Sequence, residues 1–275
     1  MNINQIITEI EKVDPEVYDR MDSRRSTMRQ FAKIGGRIAL TALPLALGGM
    51  FKKAYGQTTT SITDVLNFAL TLEYLESEFY KKAVGISGLI ADGTAMAAIT
   101  VIRDHEVAHV SVLKSTITSL GGTPVSMPTF DFTAGGAFAN VFSDYGTFLA
   151  VAQTFEDTGV RAYKGQAGNL ISNNDVLTAA LNIHSVEARH ASHIRSMRRN
   201  FTSMDTIKPW ITGKDTGGIG AAVQASYDGE ENTNQATIEI VGINGQAIST
   251  NAATECFDEP LTMDQVLAIV DPFIV

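Results

Sequence analysis

Two segments of this chain each carry a glutamate followed three residues later by a histidine. The first is Glu106 with His109 in "IRDHEVAHV", and the second is Glu187 with His190 in "IHSVEARHASHI". Residues three apart lie on one face of a helix, so each motif presents a carboxylate and an imidazole to the same point. Oxygen and imidazole donors suit divalent metal ions such as iron and manganese. This spacing therefore predicts a metal site shared by the two segments.

The two motifs belong to a longer internal repeat. The segment "TLEYLESEFYKKAVG" aligns with "TFEDTGVRAYKGQAG" at an offset of 83 residues, which pairs Glu73 with Glu156 and Tyr80 with Tyr163. The two Glu-x-x-His motifs align with each other at an offset of 81 residues. Two similar offsets, each matching polar residues, indicate a duplicated pair of helices.

The two halves together supply four glutamates and two histidines, which we predict to be the ligands of a dinuclear metal centre. The six residues are Glu73, Glu106, His109, Glu156, Glu187 and His190. Four carboxylates in a helical core cost several kcal/mol each in desolvation, and they also repel one another. Without cations they would take up protons or open the bundle. Two divalent ions offset the four charges; iron is favoured over manganese, although both metals accept these donors.

Several other residues near the motifs have predicted supporting roles. Tyr80 and Tyr163 follow their glutamates by seven residues, about two turns on one face, where they either donate hydrogen bonds to the ligands or pack as core tyrosines. Glu76 aligns with Gly159 rather than with an acid, so it either supports a ligand or faces water.

Four further polar residues are assigned to the periphery. Asp157 points away from its neighbour in the predicted ligand set and is expected at the surface. His184 shares the face of the second motif but aligns with an arginine, so it is expected beside the ligands or at the rim. His105 and His193 are expected to be solvated or structural.

The pattern of apolar residues predicts an all-α core of four long helices. They are expected near residues 62–84, 92–120, 144–170 and 175–200. The links within each pair are short, whereas the link between the pairs has about 22 residues and two prolines. One long crossover between two helical hairpins is the ferritin-like arrangement of a four-helix bundle.

The segments "LTLEYLESEFY" and "HEVAHV" resemble the first two helices of the ferritin-like superfamily, over residues 60–200. They look most like exported bacterial ferritin-like domain proteins related to desiccation-associated proteins. The resemblance implies two outer carboxylate ligands, two bridging carboxylates and two end histidines. These are Glu73 and Glu156, Glu106 and Glu187, and His109 and His190, respectively. The superfamily includes iron-storing ferroxidases, peroxide-consuming rubrerythrins, manganese catalases and oxygen-activating oxidases.

The N-terminal residues 1–56 resemble a twin-arginine-type export signal. A basic cluster that includes Arg24 and Arg25 precedes an apolar run from Ile38 to Met50, which is too short to span a bilayer. This segment predicts an exported, periplasmic or extracellular protein without stable membrane insertion after cleavage. An uncleaved anchor, an N-terminal core helix and a start at Met21 are the alternatives.

The remaining composition limits the classes of function. A formal net charge of −9 argues against nucleic-acid binding. The single cysteine, Cys256, excludes an intramolecular disulfide and a cysteine-based zinc site, and a buried thiol is expected there.

Three segments are predicted along the chain: the signal (1–56), the ferritin-like bundle (57–204) and a C-terminal extension (205–275). In the extension we expect a hairpin that turns at Asn244-Gly245 and a short helix capped by Thr262. The acidic stretch "YDGEENTNQ" is expected to be a solvated loop.

The function predicted from the sequence is an exported binuclear iron or manganese protein with oxidase or peroxide-consuming activity. Its small-molecule substrate would be O2 or H2O2. An iron-storage ferroxidase subunit is one alternative, which the extension disfavours because it must fit on every subunit of a cage. A non-enzymatic stress-protective protein with a structural metal site is another, and the sequence leaves a homo-oligomer open.

Overall fold

The computed structural model of the chain describes residues 61–90 and 93–275. Four long helices form its bundle: α1 (Ile62–Gly85), α2 (Gly93–Ser119), α3 (Tyr145–Ala167) and α4 (Asn174–Thr202). Their ends differ from the predicted ones by at most three residues, and the predicted all-α four-helix architecture is confirmed. The predicted export signal over residues 1–56 lies outside the described residues. Among the helices that are described, none is long and apolar enough to cross a membrane.

Three of the four long helices begin at a polar capping residue. Ser61 caps α1 in a reciprocal box with Asp64, while Asp144 and Asn173 cap α3 and α4. Each capping oxygen accepts a hydrogen bond from a backbone N–H that has no partner within the helix. The local sequence thus sets where these helices start.

The helices pair as two hairpins, α1 with α2 and α3 with α4. The end of α2 meets the start of α1, because a Cβ at Gly122 would lie 2.6 Å from the Thr63 methyl group. At the other hairpin, the ring of Tyr145 packs edge-on against Phe201 with centroids 5.0 Å apart. Both hairpins are therefore antiparallel.

The crossover between the hairpins is held by the C-terminal end of the chain. Asp131 N–H donates to the Phe273 carbonyl over 2.9 Å, and Val275 N–H donates to the Thr129 carbonyl over 2.9 Å. These backbone hydrogen bonds give the long link fixed partners without regular secondary structure of its own.

The C-terminal extension contains little regular structure. Its elements are β1 (Asn234–Gln235), β2 (Ile238–Glu239), α5 (Thr250–Thr254) and α6 (Met263–Val270). The predicted hairpin turn at Asn244-Gly245 is wrong, since β1 and β2 are joined instead by Ala236 and Thr237, both with positive φ. The predicted cap of the last helix is confirmed, because Thr262 and Gln265 form a capping box. The Cys256 thiol is exposed rather than buried.

The extension covers the outer face of α3, so that every residue of this helix is buried or half-buried. Arg161, in the middle of α3, donates to three carbonyls of the extension and forms an ion pair with Glu230 at 2.7 Å. Those carbonyls belong to Ser226, Asp228 and Glu259. The acidic stretch is thus not wholly solvated, because Glu230 turns inward to offset the buried guanidinium.

Candidate metal centre

Four glutamates and two histidines from all four helices meet in the middle of the bundle. They form two groups whose ligand atoms lie within 4.8 Å of one another. One group consists of Glu73, Glu106, His109 and Glu187, and the other consists of Glu106, Glu156, Glu187 and His190. Glu106 and Glu187 belong to both groups. The structure therefore brings together all six residues that the sequence singled out.

The four glutamates of these groups are 0% exposed, and both histidines are buried. The spacing within α2 and α4 accounts for four of the six residues, because each Glu-x-x-His pair occupies one helical face. The antiparallel partners α1 and α3 then each bring one glutamate to the same level. Carboxylates at this depth require either protons or cations to compensate them.

The two histidine rings point the same nitrogen at the carboxylates. His109 Nδ1 lies 3.1, 3.0 and 3.1 Å from oxygens of Glu73, Glu106 and Glu187. His190 Nδ1 lies 2.8, 3.3 and 3.7 Å from oxygens of Glu106, Glu156 and Glu187. A single N–H cannot satisfy three acceptors, so each nitrogen sits among more lone pairs than it has protons.

The donor atoms fit a divalent cation. Buried side-chain atoms without a hydrogen-bond partner concentrate here, and they include Glu106 Oε1, Glu156 Oε2, both Glu187 oxygens and His190 Nδ1. Neighbouring donors about 3 Å apart match adjacent ligands around an ion bonded at about 2.0–2.2 Å. The absence of thiolates leaves an oxygen and imidazole set that suits iron or manganese. These buried groups can hold a metal ion.

Burial and neighbouring charges shift the pKa values of the glutamates and histidines in this cluster. Burial raises the pKa of Glu156 to about 7, and burial with the Glu187 charge raises that of Glu106 well above its ordinary value. Burial would also raise the pKa of Glu187, but the close contacts with the His109 and His190 imidazoles lower it to about 2. Burial would lower the pKa of both histidines, yet the carboxylates outweigh it and raise them. Protons therefore occupy the cluster whenever cations do not.

Two tyrosines hold the outer glutamates across the repeat. Tyr80 of α1 donates to Glu156 Oε1 of α3 over 2.6 Å, and Tyr163 of α3 donates to Glu73 Oε1 of α1. Each half of the repeat thus orients a carboxylate of the other half. Because the acceptor oxygen is fixed, the second oxygen of each glutamate remains directed at the cluster.

A family model for the ferritin-like domain matches residues 61–200. The chain belongs to the ferritin-like domain family. A comparison with curated proteins found no significant match. The matched range contains α1 to α3, α4 as far as Asn200 and all six residues of the two groups, whereas the C-terminal extension lies beyond it.

A fifth carboxylate, that of Glu76, lies inside the ferritin-like domain beside the cluster. Its side chain is 3% exposed, and burial together with the charge of Glu187 raises its pKa well above the ordinary value. A Cβ at Gly159 would lie 3.3 Å from Glu76 Oε1, so the glycine leaves room for the acid. The water-facing alternative for Glu76 is therefore wrong, and the repeat departs from symmetry here for a steric reason.

The three remaining histidines of the ferritin-like domain differ in their contacts. His105 is exposed, yet its Nδ1 lies 3.0 Å from Nε2 of His190 and the two rings stack at 5.2 Å. Nε2 of His184 is buried without a hydrogen bond, and this residue is in neither group. His193 is exposed, as expected. The contact of His105 could not be read from spacing, because it joins two different helices.

The expectation that Asp157 lies at the surface is wrong. Its carboxylate is buried, receives hydrogen bonds of 2.9 and 2.6 Å from the Arg195 guanidinium, and accepts a third of 2.8 Å from Tyr227. Asp157 does face away from the cluster, but the C-terminal extension covers that side of the ferritin-like domain. A bundle without the extension would leave this carboxylate in water.

Proposed function

We propose that this chain is a dinuclear metal carboxylate protein that reduces O2 or H2O2, with iron as the preferred metal and manganese as the alternative. The observation that supports the proposal is the sharing of Glu106 and Glu187 between two ligand groups, each with its own glutamate and histidine. Two bound ions would each supply one electron, which converts O2 and two protons to H2O2, or H2O2 and two protons to two waters.

The shared glutamates would contribute to holding both ions, and the remaining residues would complete each group. Glu73 with His109 serves one ion, and Glu156 with His190 serves the other. Four carboxylate charges against two divalent cations leave the core close to neutral, which offsets the desolvation that burial imposes. A structural metal would need only one of these groups, whereas two adjacent groups suit two-electron chemistry.

The residues around the ligands would keep them in place and handle protons. The hydroxyls of Tyr80 and Tyr163 fix the outer glutamates. Burial and the Glu187 charge raise the pKa of Glu76, so its buried carboxyl group would be a proton donor to a reduced oxygen product. His105 is exposed and contacts His190, so it offers a link from the ligands to solvent. Reduction consumes protons, and these two residues would deliver them.

The first test is the metal content of the protein purified from its own host. We expect two equivalents of iron, or of manganese, per chain, and a loss of at least one equivalent in Glu187→Ala, because this residue belongs to both groups. Glu78→Ala is the matched control, since Glu78 lies on α1 in an exposed ion pair with Lys81. A metal-free wild type, or equal metal content in Glu187→Ala and the control, would refute the metal site.

The second test is turnover. The loaded protein should oxidise on mixing with O2 or H2O2, and the change is followed by absorbance in a stopped-flow instrument. Loaded protein that reacts with neither oxidant would refute the redox function while leaving metal binding intact. The size of the native particle on a column separates this function from iron storage, which requires a very large assembly. Export through residues 1–56 stays a prediction, checked by fractionation of the host cells.

A further inference from the structure

An apolar cavity lies inside the bundle between all four helices. Its wall includes Leu66, Ala69, Leu113, Ala162, Tyr163 and Ala180. The void has room for about one or two water-sized molecules. We call it the Tyr163 cavity.

The cavity continues the ligand face of the bundle toward one end. On α2, Leu113 follows His109 by four residues, and on α1, Ala69 precedes Glu73 by four residues, so each cavity residue sits one turn from a predicted ligand. Tyr163, whose hydroxyl donates to Glu73, separates the void from the carboxylates. The Tyr163 cavity therefore adjoins the group that contains Glu73 and His109.

The other half of the repeat carries phenylalanine at two of the equivalent positions on α1 and α3, where the cavity has smaller side chains. The offset of 83 residues pairs Ala162 of the cavity with Phe79, and Leu72 of the cavity with Phe155. The rings of Phe79 and Phe155 are buried and pack edge to face with centroids 5.1 Å apart. Rings thus occupy the space beside Tyr80 that corresponds to the cavity beside Tyr163.

The same asymmetry holds on α2 and α4. The offset of 81 residues pairs Ala180 of the cavity with Ile99, and Thr116 of the cavity with Met197. Ile99 is fully buried in the core, and Met197 packs against it. One position on each helix, namely 72, 116, 162 and 180, therefore carries a smaller side chain in the cavity than at its counterpart, and these differences coincide with the void.

The lining is apolar except for Tyr163, Thr116 and Gln166. The Tyr163 hydroxyl is used by Glu73, the Thr116 hydroxyl donates to the Val112 carbonyl over 2.8 Å, and the Gln166 carbonyl oxygen accepts from Asn169 over 2.9 Å. Water or H2O2 would lose hydrogen bonds on entry, whereas an apolar molecule would not. Val112, at 44% exposure, lines the cavity and marks its side toward solvent.

We propose that the Tyr163 cavity is the site through which O2, a small apolar molecule, enters and waits beside Glu73 and His109. This inference rests on the proposed function and selects O2 over H2O2 as the oxidant that the protein admits by this route. It also makes the two halves of the duplicated site unequal, because the positions equivalent to Ala162 and Ala180 carry Phe79 and Ile99.

Xenon is the probe, because it occupies dry apolar cavities and needs neither metal nor turnover. We expect xenon in the Tyr163 cavity of wild-type crystals under xenon pressure. It should be lost in Ala180→Ile and in Ala162→Phe, which copy Ile99 and Phe79 of the packed half. Ala188→Ile, on α4 outside the lining, is the control. Circular dichroism verifies that each variant folds, and Ala180→Ile adds the smaller volume.

The kinetic arm uses the same variants loaded with Fe(II). Blocking the cavity should slow oxidation by O2 about tenfold or more, while oxidation by H2O2 keeps its wild-type rate. Absence of xenon from the cavity overturns the inference even if two metals bind. An unchanged rate of oxidation by O2 in a variant that excludes xenon would also overturn the inference. An equal slowing of oxidation by O2 and by H2O2 would do the same. A metal-free wild type would instead refute the proposed function, whatever the xenon result.

Discussion

The hydroxyl of Tyr80 on α1 donates a 2.6 Å hydrogen bond to Glu156 on α3. Donor and acceptor belong to different hairpins, so the carboxylate takes its orientation only when the two hairpins have packed together. Tyr163 and Glu73 repeat the relationship in the opposite direction. Assembly of the bundle and organisation of the candidate metal centre are therefore one event.

Tyr80→Phe is expected to weaken metal binding by about 10–100-fold, because outer hydrogen bonds fix the orientation of ligands. The ring remains in the core, so folding should be retained. Metal titration followed by competition with a chelator measures the change. Tyr74→Phe is the control, since its hydroxyl donates to the Val125 carbonyl over 3.4 Å rather than to a predicted metal ligand. Equal affinities for the two variants would show that Tyr80 does not support a ligand.

Metal binding is expected to release protons and to weaken steadily as the pH falls through the neutral range. Burial raises the pKa of Glu156 to about 7, and carboxylates raise the pKa of His109 and His190 against the effect of burial. These groups must lose their protons to become ligands, so protons compete with the cation. Calorimetric titration in two buffers of different ionisation enthalpy counts the released protons. Identical binding heats in both buffers would contradict this prediction.

Glu76→Gln is expected to change the stability of the metal-free protein by less than about 1 kcal/mol, because the raised pKa favours the neutral acid and glutamine has nearly its shape. Urea denaturation with chelator present measures this. Glu76→Ala is the companion variant and should cost about 2–5 kcal/mol by leaving a void. Marked stabilisation by glutamine would mean that the native carboxyl group is ionised.

Arg195→Met should lower the free energy of unfolding by about 3–5 kcal/mol, because it leaves the buried carboxylate of Asp157 without its partner. The double variant with Asp157→Asn should recover part of that loss, since no buried charge remains. Lys81→Met breaks an exposed pair with Glu78 and should cost at most about 1 kcal/mol. Similar losses in Arg195→Met and Lys81→Met would show that the buried pair contributes little.

Gly165→Ala should destabilise the protein by about 1–3 kcal/mol or more and loosen the C-terminal extension. A Cβ at this position would lie 1.9 Å from the Leu261 carbonyl oxygen, and a backbone atom cannot rotate away. Gly85→Ala on α1 is the control, because no atom lies within 4 Å of its added Cβ. Limited proteolysis measures how accessible the C-terminal extension becomes to protease. Equal protease resistance of both variants would indicate that the extension can shift without cost.

The sequence alone predicted the four helices and the faces that carry Glu-x-x-His, because both depend on local spacing. Apolar periodicity and capping residues act within a few residues of each other, and i to i+3 neighbours share a face in any helix. The duplicated hairpin then pointed to Glu73 and Glu156 as the partners on the other two helices. All six residues meet in the structure for this reason.

Tertiary packing determines the burial of individual residues and the position of the cavity, which sequence spacing does not predict. Because Asp157 points away from Glu156, the sequence predicts it at the surface; the C-terminal extension instead buries it against Arg195 and Tyr227. The burial of Glu76 depends on Gly159 of another helix. The Tyr163 cavity likewise depends on small side chains that four separate helices bring to one end of the site. Each of these features depends on whether a residue distant in the sequence fills a particular space. Only the tertiary packing determines this.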